Sequence, residues 1–278
     1  MHVRVMSADP RQEPAVRPEQ QQVVQRVRMP DGNLELVVAY GRGEVVAPAE
    51  AASAWLVLRG HVRLHAQEGD FLLGARDWIV LGPGSPPLAL PGCGGWLLGV
   101  SFGAGDGAGL LPGRGRLGPG GRALASRLWR ERDASGAHDA ASIRAFLASL
   151  QDELSAGAAR CPGHSERRKR QVLLRMQRAR LCLDGQADGG LPIAELAKRV
   201  NFSPWYFSKV FHAVYGIPPQ QYAARCRLER ASRLLATTSL PVTEVSAACG
   251  FDNPCSFARA FRARYGMTAS EHRMQAPR

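Results

Sequence analysis

The sequence predicts an α+β fold in two parts, an N-terminal β-barrel with a helical appendage and a C-terminal all-α region of two tandem helix-turn-helix units. Between residues 34 and 102, short apolar runs alternate with glycine and proline, which is typical of small barrels and sandwiches. From residue 143 onward, apolar residues recur at the spacing of one helix face. The pattern of residues 203–216 returns at residues 253–266, which indicates a duplicated helical unit.

The N-terminal half contains six segments with the composition of strands: residues 34–38, 55–58, 62–64, 70–73, 78–81 and 96–100. The stretch 69–84 resembles the middle of a cupin, a small β-barrel. A barrel of this size is expected to enclose a small ligand or to support dimer contacts. The glycine-rich residues 103–121 predict a loop, and two helical stripes follow it, Leu124, Leu128 and Trp129, and then Ile143, Phe146, Leu147, Leu150 and Leu154.

These patterns divide the chain into five predicted segments. They are a polar arm over residues 1–25, a cupin-like effector and dimerisation barrel over 26–105, a loop and helical region over 106–156, a linker over 157–165, and the double helix-turn-helix region over 166–278.

The barrel region offers few metal-ligating residues. His61 and His65 are four apart and therefore share one face of a strand, and Glu68 follows shortly after. The H-x-H pair that is typical of cupin metal sites is absent, and no histidine occurs between residues 66 and 137. We therefore predict no metal, no cofactor and no catalytic residue, and interpret the two histidines as solvated or core-edge side chains.

Composition limits the cellular location. The chain has no run of eighteen apolar residues, so no membrane span is predicted. The polar residues 1–18 lack the apolar centre of a signal peptide. Six cysteines lie far apart without a C-x-x-C pair, which predicts reduced thiols in a cytoplasmic protein.

The net charge of +12 is concentrated in the C-terminal part. Residues 160–278 hold 20 of the 36 Lys and Arg residues but only 8 of the 24 Asp and Glu residues. Residues 1–159 hold 16 of each kind and therefore have no net charge. A basic module beside a neutral one predicts a polyanionic partner such as double-stranded DNA.

The second helix of each C-terminal unit has a cap, a buried face and an exposed face. Ser203 and Asn253 are predicted N-caps, and a proline follows each at the first helical position. Two phenylalanines four residues apart predict the buried face of each helix. The opposite faces are predicted to contact DNA bases in the major groove through Trp205, Ser208, Lys209, His212, Cys255, Ala258 and Arg259.

About a hundred C-terminal residues resemble the AraC/XylS family of bacterial transcription regulators. The matching positions are residues 193–197, 202–203, 206–209, 211, 216–219, 222, 227–228, 231, 234–235, 242–245, 250–251, 257–261 and 265–266. Three positions depart from the family pattern: Asn201 replaces the usual Gly, Cys255 stands where Ser is frequent, and Ala269 replaces an expected Pro. Asn tolerates left-handed backbone, so the first departure is mild, whereas the third puts the local C-terminal turn in question.

The resemblance implies a cytoplasmic, homodimeric regulator that binds double-stranded DNA and contacts RNA polymerase, with a small-molecule effector in its N-terminal domain. We expect an activator, but the sequence alone leaves activation and repression open. The two second helices would lie about one turn of DNA apart, roughly 34 Å. Phosphate contacts are expected from three basic residues that precede the first unit and from two arginines near the end of the second helix of the second unit. These residues are Arg167, Arg168, Lys169, Arg262 and Arg264. Two alternatives remain at this stage, a metal-dependent cupin enzyme with an appended DNA-binding module, and a nucleoid-type architectural protein of low specificity.

Overall fold

The computed structural model describes residues 23–28, 34–41, 43–48, 51–102, 109–121, 123, 125, 140–185 and 191–275. Most of the predicted polar arm and the predicted helical stripe of Leu124, Leu128 and Trp129 lie outside these residues. The described chain forms a β-sandwich followed by helices. No helix in these ranges has both the length and the apolar run that crossing a bilayer requires.

Within the described ranges, ten strands form two open sheets. The strands are β1 (Val23–Arg28), β2 (Leu34–Tyr40), β3 (Val45–Val46), β4 (Ser53–Arg59), β5 (His61–Ala66), β6 (Gly69–Gly74), β7 (Asp77–Leu81), β8 (Leu88–Pro91), β9 (Trp96–Phe102) and β10 (Gly113–Arg116). One sheet has the order β1-β2-β9-β4-β7-β10, and the other has the order β3-β8-β5-β6. All strand pairs are antiparallel. The six predicted strands are confirmed as β2, β4, β5, β6, β7 and β9.

The two sheets share one apolar core. β5 shows why its residues form a strand, because Val62 and Leu64 are buried while His61 and Arg63 on the other face are exposed. The core between the sheets is filled by large side chains from both, including Trp55, Val57, Leu64, Phe71, Leu73, Ile79 and Leu97.

β10 corrects the prediction of a loop over residues 103–121. It pairs antiparallel with β7. A Cβ on Gly115 would lie 2.6 Å from the Trp78 ring, and one on Gly113 would lie 2.3 Å from Leu154. These glycines therefore serve close packing against a strand and a helix, rather than a flexible turn.

The helical part has eight α-helices whose whole lengths lie within the described residues, and one short 3₁₀ helix (Ala158–Arg160). They are α1 (Ala140–Ser155), α2 (Glu166–Asp184), α3 (Ile193–Arg199), α4 (Pro204–Tyr215), α5 (Pro219–Thr237), α6 (Val242–Ala248), α7 (Pro254–Tyr265) and α8 (Ala269–Gln275). The first helix-turn-helix unit is α3 with α4, and the second is α6 with α7. α5 connects them, and α8 was not predicted.

The two units differ in how they join the rest of the protein. The buried side chains of α3 and α4 belong to one continuous core with α1, α2 and the outer face of the six-stranded sheet. The second unit has a separate core of eight buried residues, Leu228, Ala231, Leu235, Val245, Cys249, Phe257, Phe261 and Ala269. The first unit is thus packed into the body of the protein, while the second is attached through α5.

The end of α2 docks on the four-stranded sheet. Leu181 is fully buried within the core between the sheets. The backbone N–H of Asp70 donates to the carbonyl of Gly185 at 2.6 Å. Gly69, at φ +135°, allows this contact, because a Cβ there would lie 2.1 Å from the same carbonyl oxygen. This contact fixes the sandwich to the first helix of the C-terminal region.

Candidate nucleic-acid interface

The turns of the two units have nearly the same geometry. Asn201 has φ 57° in the first turn and Gly250 has φ 71° in the second. The residue that follows each one donates its backbone N–H to a carbonyl five residues upstream, at 2.9 and 3.1 Å. Asn is among the few side chains that tolerate left-handed backbone, so its replacement of the usual Gly leaves the turn intact.

Each turn leads into a capped helix. The Ser203 hydroxyl accepts a hydrogen bond from the Tyr206 backbone N–H at 3.3 Å. The Asn253 side chain accepts one from the Cys255 N–H at 2.8 Å. A proline occupies the first turn of both helices, where its missing N–H leaves no bond unmade. These caps set the start of α4 and α7 at equivalent positions.

Paired phenylalanines hold α4 and α7 against the rest of their units. The rings of Phe207 and Phe211 lie 5.5 Å apart at 52°, and those of Phe257 and Phe261 lie 5.4 Å apart at 51°. All four side chains are almost completely buried. A tyrosine four residues further on stacks at 4.6 Å in both helices. The same aromatic anchor therefore orients both helices with the opposite face outward.

The outward face of α4 is exposed and basic. Trp205 has 71% of its surface exposed, which is unusual for so large an apolar side chain. The Lys209 ammonium lies 5.2 Å from the centre of its ring, within the range of a cation–π interaction. His212 is also exposed, whereas Ser208 is half-buried and donates its hydroxyl to the Pro204 carbonyl at 3.0 Å.

The outward face of α7 has fewer hydrogen-bonding groups. Cys255, Ala258 and Arg259 are all exposed on it. Among these three, Arg259 alone carries a charge, and its guanidinium offers a donor fork that fits a base edge or a phosphate. Six of the seven predicted base-contact residues are thus exposed, and Ser208 is half-buried with its hydroxyl bonded within α4.

The five predicted phosphate-contact residues also lie at the surface. Four are exposed and Lys169 is half-buried: Arg167, Arg168, Lys169, Arg262 and Arg264. The Lys169 ammonium lies 2.8 Å from Glu166, and Arg264 lies 3.3 Å from Glu229. Exposed ion pairs of this kind are weak, so they leave both cations able to change partner.

The helix α8 begins where the chain departs from the family pattern. Ala269 holds the first helical position that Pro219 holds in α5. Thr268 and Glu271 form a capping box: the Thr268 N–H donates to the Glu271 carboxylate at 2.7 Å, and the Glu271 N–H donates to the Thr268 hydroxyl at 3.3 Å. Hydrogen bonds from Thr268 lower the pKa of Glu271. The cap therefore starts the helix without proline.

The histidines of β5 lie on the outer face of the sandwich, as their even spacing predicts. His65 Nδ1 lies 2.5 Å from Asp70 Oδ1. Glu68 is instead buried and accepts a hydrogen bond from the Ser85 hydroxyl. In the part of the chain that the structure describes, no three His, Cys, Asp or Glu side chains are grouped closely enough to hold a metal ion.

Sequence reasoning assigned no role to the arginines of α5. Arg227 donates to the Gly250 carbonyl at 2.8 Å and lies 4.9 Å from the Phe251 ring, so it supports the second turn. Arg230 and Arg233 follow at intervals of three, which places them along the same side of the helix. That spacing is visible in the sequence, but their partner surface on the sandwich is not.

Comparison with known proteins identifies the C-terminal part. A family model described as a helix-turn-helix domain matches residues 196–275. The chain is 35% identical over 82 residues to a probable transcriptional regulator, LumQ, of Photobacterium leiognathi, covering 30% of this chain and 33% of that protein. It is 37% identical over 89 residues to the HTH-type transcriptional regulator Rv1931c of Mycobacterium tuberculosis, covering 32% of this chain and 34% of that one. The match spans about a third of each of these relatives.

Solved structures also match over this region. One is a Chromobacterium violaceum transcriptional regulator described by its AraC-type DNA-binding domain, at 26% identity, a TM-score of 0.36, and coverage of 37% of this chain and 93% of that one. This TM-score is too low to support an assignment, which depends on the sequence matches. Residues 196–275 of this chain therefore match a helix-turn-helix domain, and the relatives that match in this region are named transcriptional regulators.

Proposed function

We propose that this protein is a sequence-specific DNA-binding transcription regulator. The supporting observation is the duplicated helix that buries a phenylalanine pair on one face and exposes a cation, Lys209 or Arg259, on the other. A major groove is roughly 12 Å wide and admits one helix with its side chains. Two such helices on one protein fit two successive groove segments on one face of the duplex.

The roles of the exposed residues follow from their chemistry. Lys209 and Arg259 can donate to the O6 and N7 atoms of guanine, and Trp205 can pack on a thymine methyl or a sugar. Ser208, His212, Cys255 and Ala258 complete the base-facing surface in this proposal. Because α4 offers more hydrogen-bonding groups than α7, the first unit is expected to contribute most of the sequence discrimination.

The basic residues outside these faces would position the protein on DNA. Phosphate contacts fix register and orientation but do not discriminate sequence. The five candidates are the phosphate-contact residues described above, and the concentration of the +12 net charge in the C-terminal part agrees with this role. Five neutralised phosphates imply a slope of about −4.5 for the logarithm of the binding constant against the logarithm of salt concentration.

The remaining parts of the proposal concern the whole protein. The N-terminal sandwich would act as a cupin-like effector and dimerisation domain without catalytic function. The regulator would work as a cytoplasmic homodimer that contacts RNA polymerase. The Providencia stuartii relative AarP, 29% identical over 92 residues, is named a transcriptional activator, which supports activation as the direction of control.

The proposal is tested by mapping bound DNA across the genome and measuring affinity for a mapped site. The expected result is that the mapped site binds at least about a thousandfold more tightly than random DNA of equal length, with the steep salt dependence given above. Similar affinities for both DNAs would indicate an architectural protein and contradict sequence-specific regulation. Metal analysis of the purified protein tests the enzyme alternative separately.

A further inference from the structure

A cleft of about 360 Å³ lies between the sandwich and α5, and none of the roles proposed above uses it. Its volume is within the range of small-molecule sites, about 300–1,000 Å³. The residues that matter for its chemistry are Arg63, His65 and Leu72 on the sandwich side, and Arg230, Arg233 and Leu234 on α5.

The cleft has an excess of positive charge. Its lining contains four arginines but only two carboxylates. The arginines are Arg63, Arg227, Arg230 and Arg233, and the carboxylates belong to Asp70 and Asp184. Both carboxylates already have partners. Asp70 lies 2.5 Å from His65, and Asp184 accepts the Tyr222 hydroxyl at 2.6 Å. An anion that enters the cleft would meet arginines from both walls, and a guanidinium binds carboxylate or phosphate through paired donors.

Two further observations bear on the ligand, an unpaired donor that an anion could satisfy and an apolar surface that a simple salt ion would leave uncovered. The Nε of Arg227 is buried and has no hydrogen-bond partner among the described residues, a situation that costs free energy. Leu72 is one of the few large apolar side chains with substantial exposure, at 43%, and it lines the cleft with the half-buried Leu234. The cleft therefore offers apolar surface beside its cations.

We propose that this cleft binds a small organic anion, whose carboxylate or phosphate groups lie between Arg63 and the α5 arginines and whose apolar part contacts Leu72 and Leu234. Arg63 belongs to β5, whereas Arg230 and Arg233 belong to the helix that leads to the second unit.

α5 contacts the continuous core through Tyr222 and Ala223 near its start, whereas its later residues Leu228, Ala231 and Leu235 belong to the separate core of the second unit. A bound anion would tie this later part of α5 to the sandwich.

The bridge would act on DNA binding, and this consequence rests on the proposed function. The first unit is packed into the same core as the sandwich's outer face, but the core of the second unit is separate. An anion that ties α5 to β5 would restrict where the second unit lies relative to the first. The two second helices would then be held in one relative position, which reduces the ordering cost when both enter DNA.

The test uses two probes of this chemistry, adipate and phenyl phosphate, titrated calorimetrically into the full chain at constant ionic strength. We expect saturable binding of at least one probe at one site per chain. Arg63→Gln and Arg233→Gln should each weaken it by about tenfold or more, the loss expected for one charged hydrogen-bonding partner. Arg225→Gln, an exposed α5 residue outside the cleft lining, should leave it unchanged.

Arg259→Gln distinguishes anion binding in the cleft from anion binding on the exposed face of α7. Loss of probe binding in Arg259→Gln but not in Arg63→Gln would place the anion on α7 and overturn the proposal. Absence of saturable binding of both probes to the wild type would overturn it as well. DNA affinity of each protein without probe is measured in parallel. Normal DNA affinity with no probe binding would refute anion binding in the cleft and leave the proposed regulator function standing. Probe binding without DNA affinity would refute the regulator function and leave anion binding standing.

Discussion

Phe261→Ala should unfold the second helix-turn-helix unit while the first remains folded. Phe261 is fully buried, and its ring centre lies 5.4 Å from Phe257, 4.6 Å from Tyr265 and 5.5 Å from His272. Truncation of a buried aromatic costs about 3–5 kcal/mol. Three ring partners place this site toward the upper end of that range, since aromatic pairs add about 0.5–1.5 kcal/mol each.

The stability available to the second unit is of the same size. At about 0.05–0.15 kcal/mol per residue, a segment of roughly fifty residues is stable by about 2.5–7.5 kcal/mol. A loss of about 3–5 kcal/mol is therefore comparable with the whole stability of this segment. The core of this unit is separate from the core that joins the first unit to the sandwich, so the damage should stay local.

Hydrogen exchange measured by mass spectrometry distinguishes the units. We expect fast exchange across α6, α7 and α8 in Phe261→Ala and unchanged protection in α2 and α4. The matched control is Arg259→Ala, an exposed change in the same helix, which should exchange like the wild type. Phe211→Ala, in the continuous core, should instead destabilise the first unit and the sandwich together. Equal loss of protection in α4 and α7 of Phe261→Ala would refute the separation of the two cores.

Three further changes test individual residues. Lys209→Ala should weaken binding to the cognate site by about 1–3 kcal/mol and relax preference at one base pair; an equal loss on random DNA would show that Lys209 contacts a phosphate only. Asn201→Ala should cost about 1 kcal/mol or more of unfolding free energy because φ is 57° there, whereas Asn201→Gly should be close to neutral; the reverse order in urea unfolding would contradict the left-handed turn. The lowered pKa of Glu271 means that its cap contributes stability above the ordinary carboxyl pKa and loses it as pH falls through the lowered value. Glu271→Gln should therefore flatten the acid dependence of exchange in α8, and an unchanged pH profile would argue against the cap.

Much of the fold follows from periodicity in the sequence. The alternation of buried and exposed residues in β5 and the paired phenylalanines of α4 and α7 are local signals that packing retains. β10 was missed because glycine usually marks a turn. Gly113 and Gly115 instead leave room for the side chains of Leu154 and Trp78, which a Cβ at either position would displace. Close packing of this kind depends on residues distant in the sequence.

The candidate interface was predictable for the same reason. A helix turns about 100° per residue, so the position of Phe207 and Phe211 determines that Trp205 and Lys209 face outward. The cleft was not predictable. Arg63 and Arg233 are far apart in the chain, and the docking of α2 on the sandwich, through Leu181 and Gly185, is what aligns β5 with α5.

The central claim is that α4 and α7 enter two successive major-groove segments on one face of DNA. Guanine methylation interference on a mapped site tests it most directly. The account predicts two groups of sensitive guanines about 10–10.5 base pairs apart on one face. Lys209→Ala should abolish the sensitivity of one guanine in the first group, and Arg259→Ala that of one guanine in the second. A single sensitive group, or two groups on opposite faces of the duplex, would contradict it.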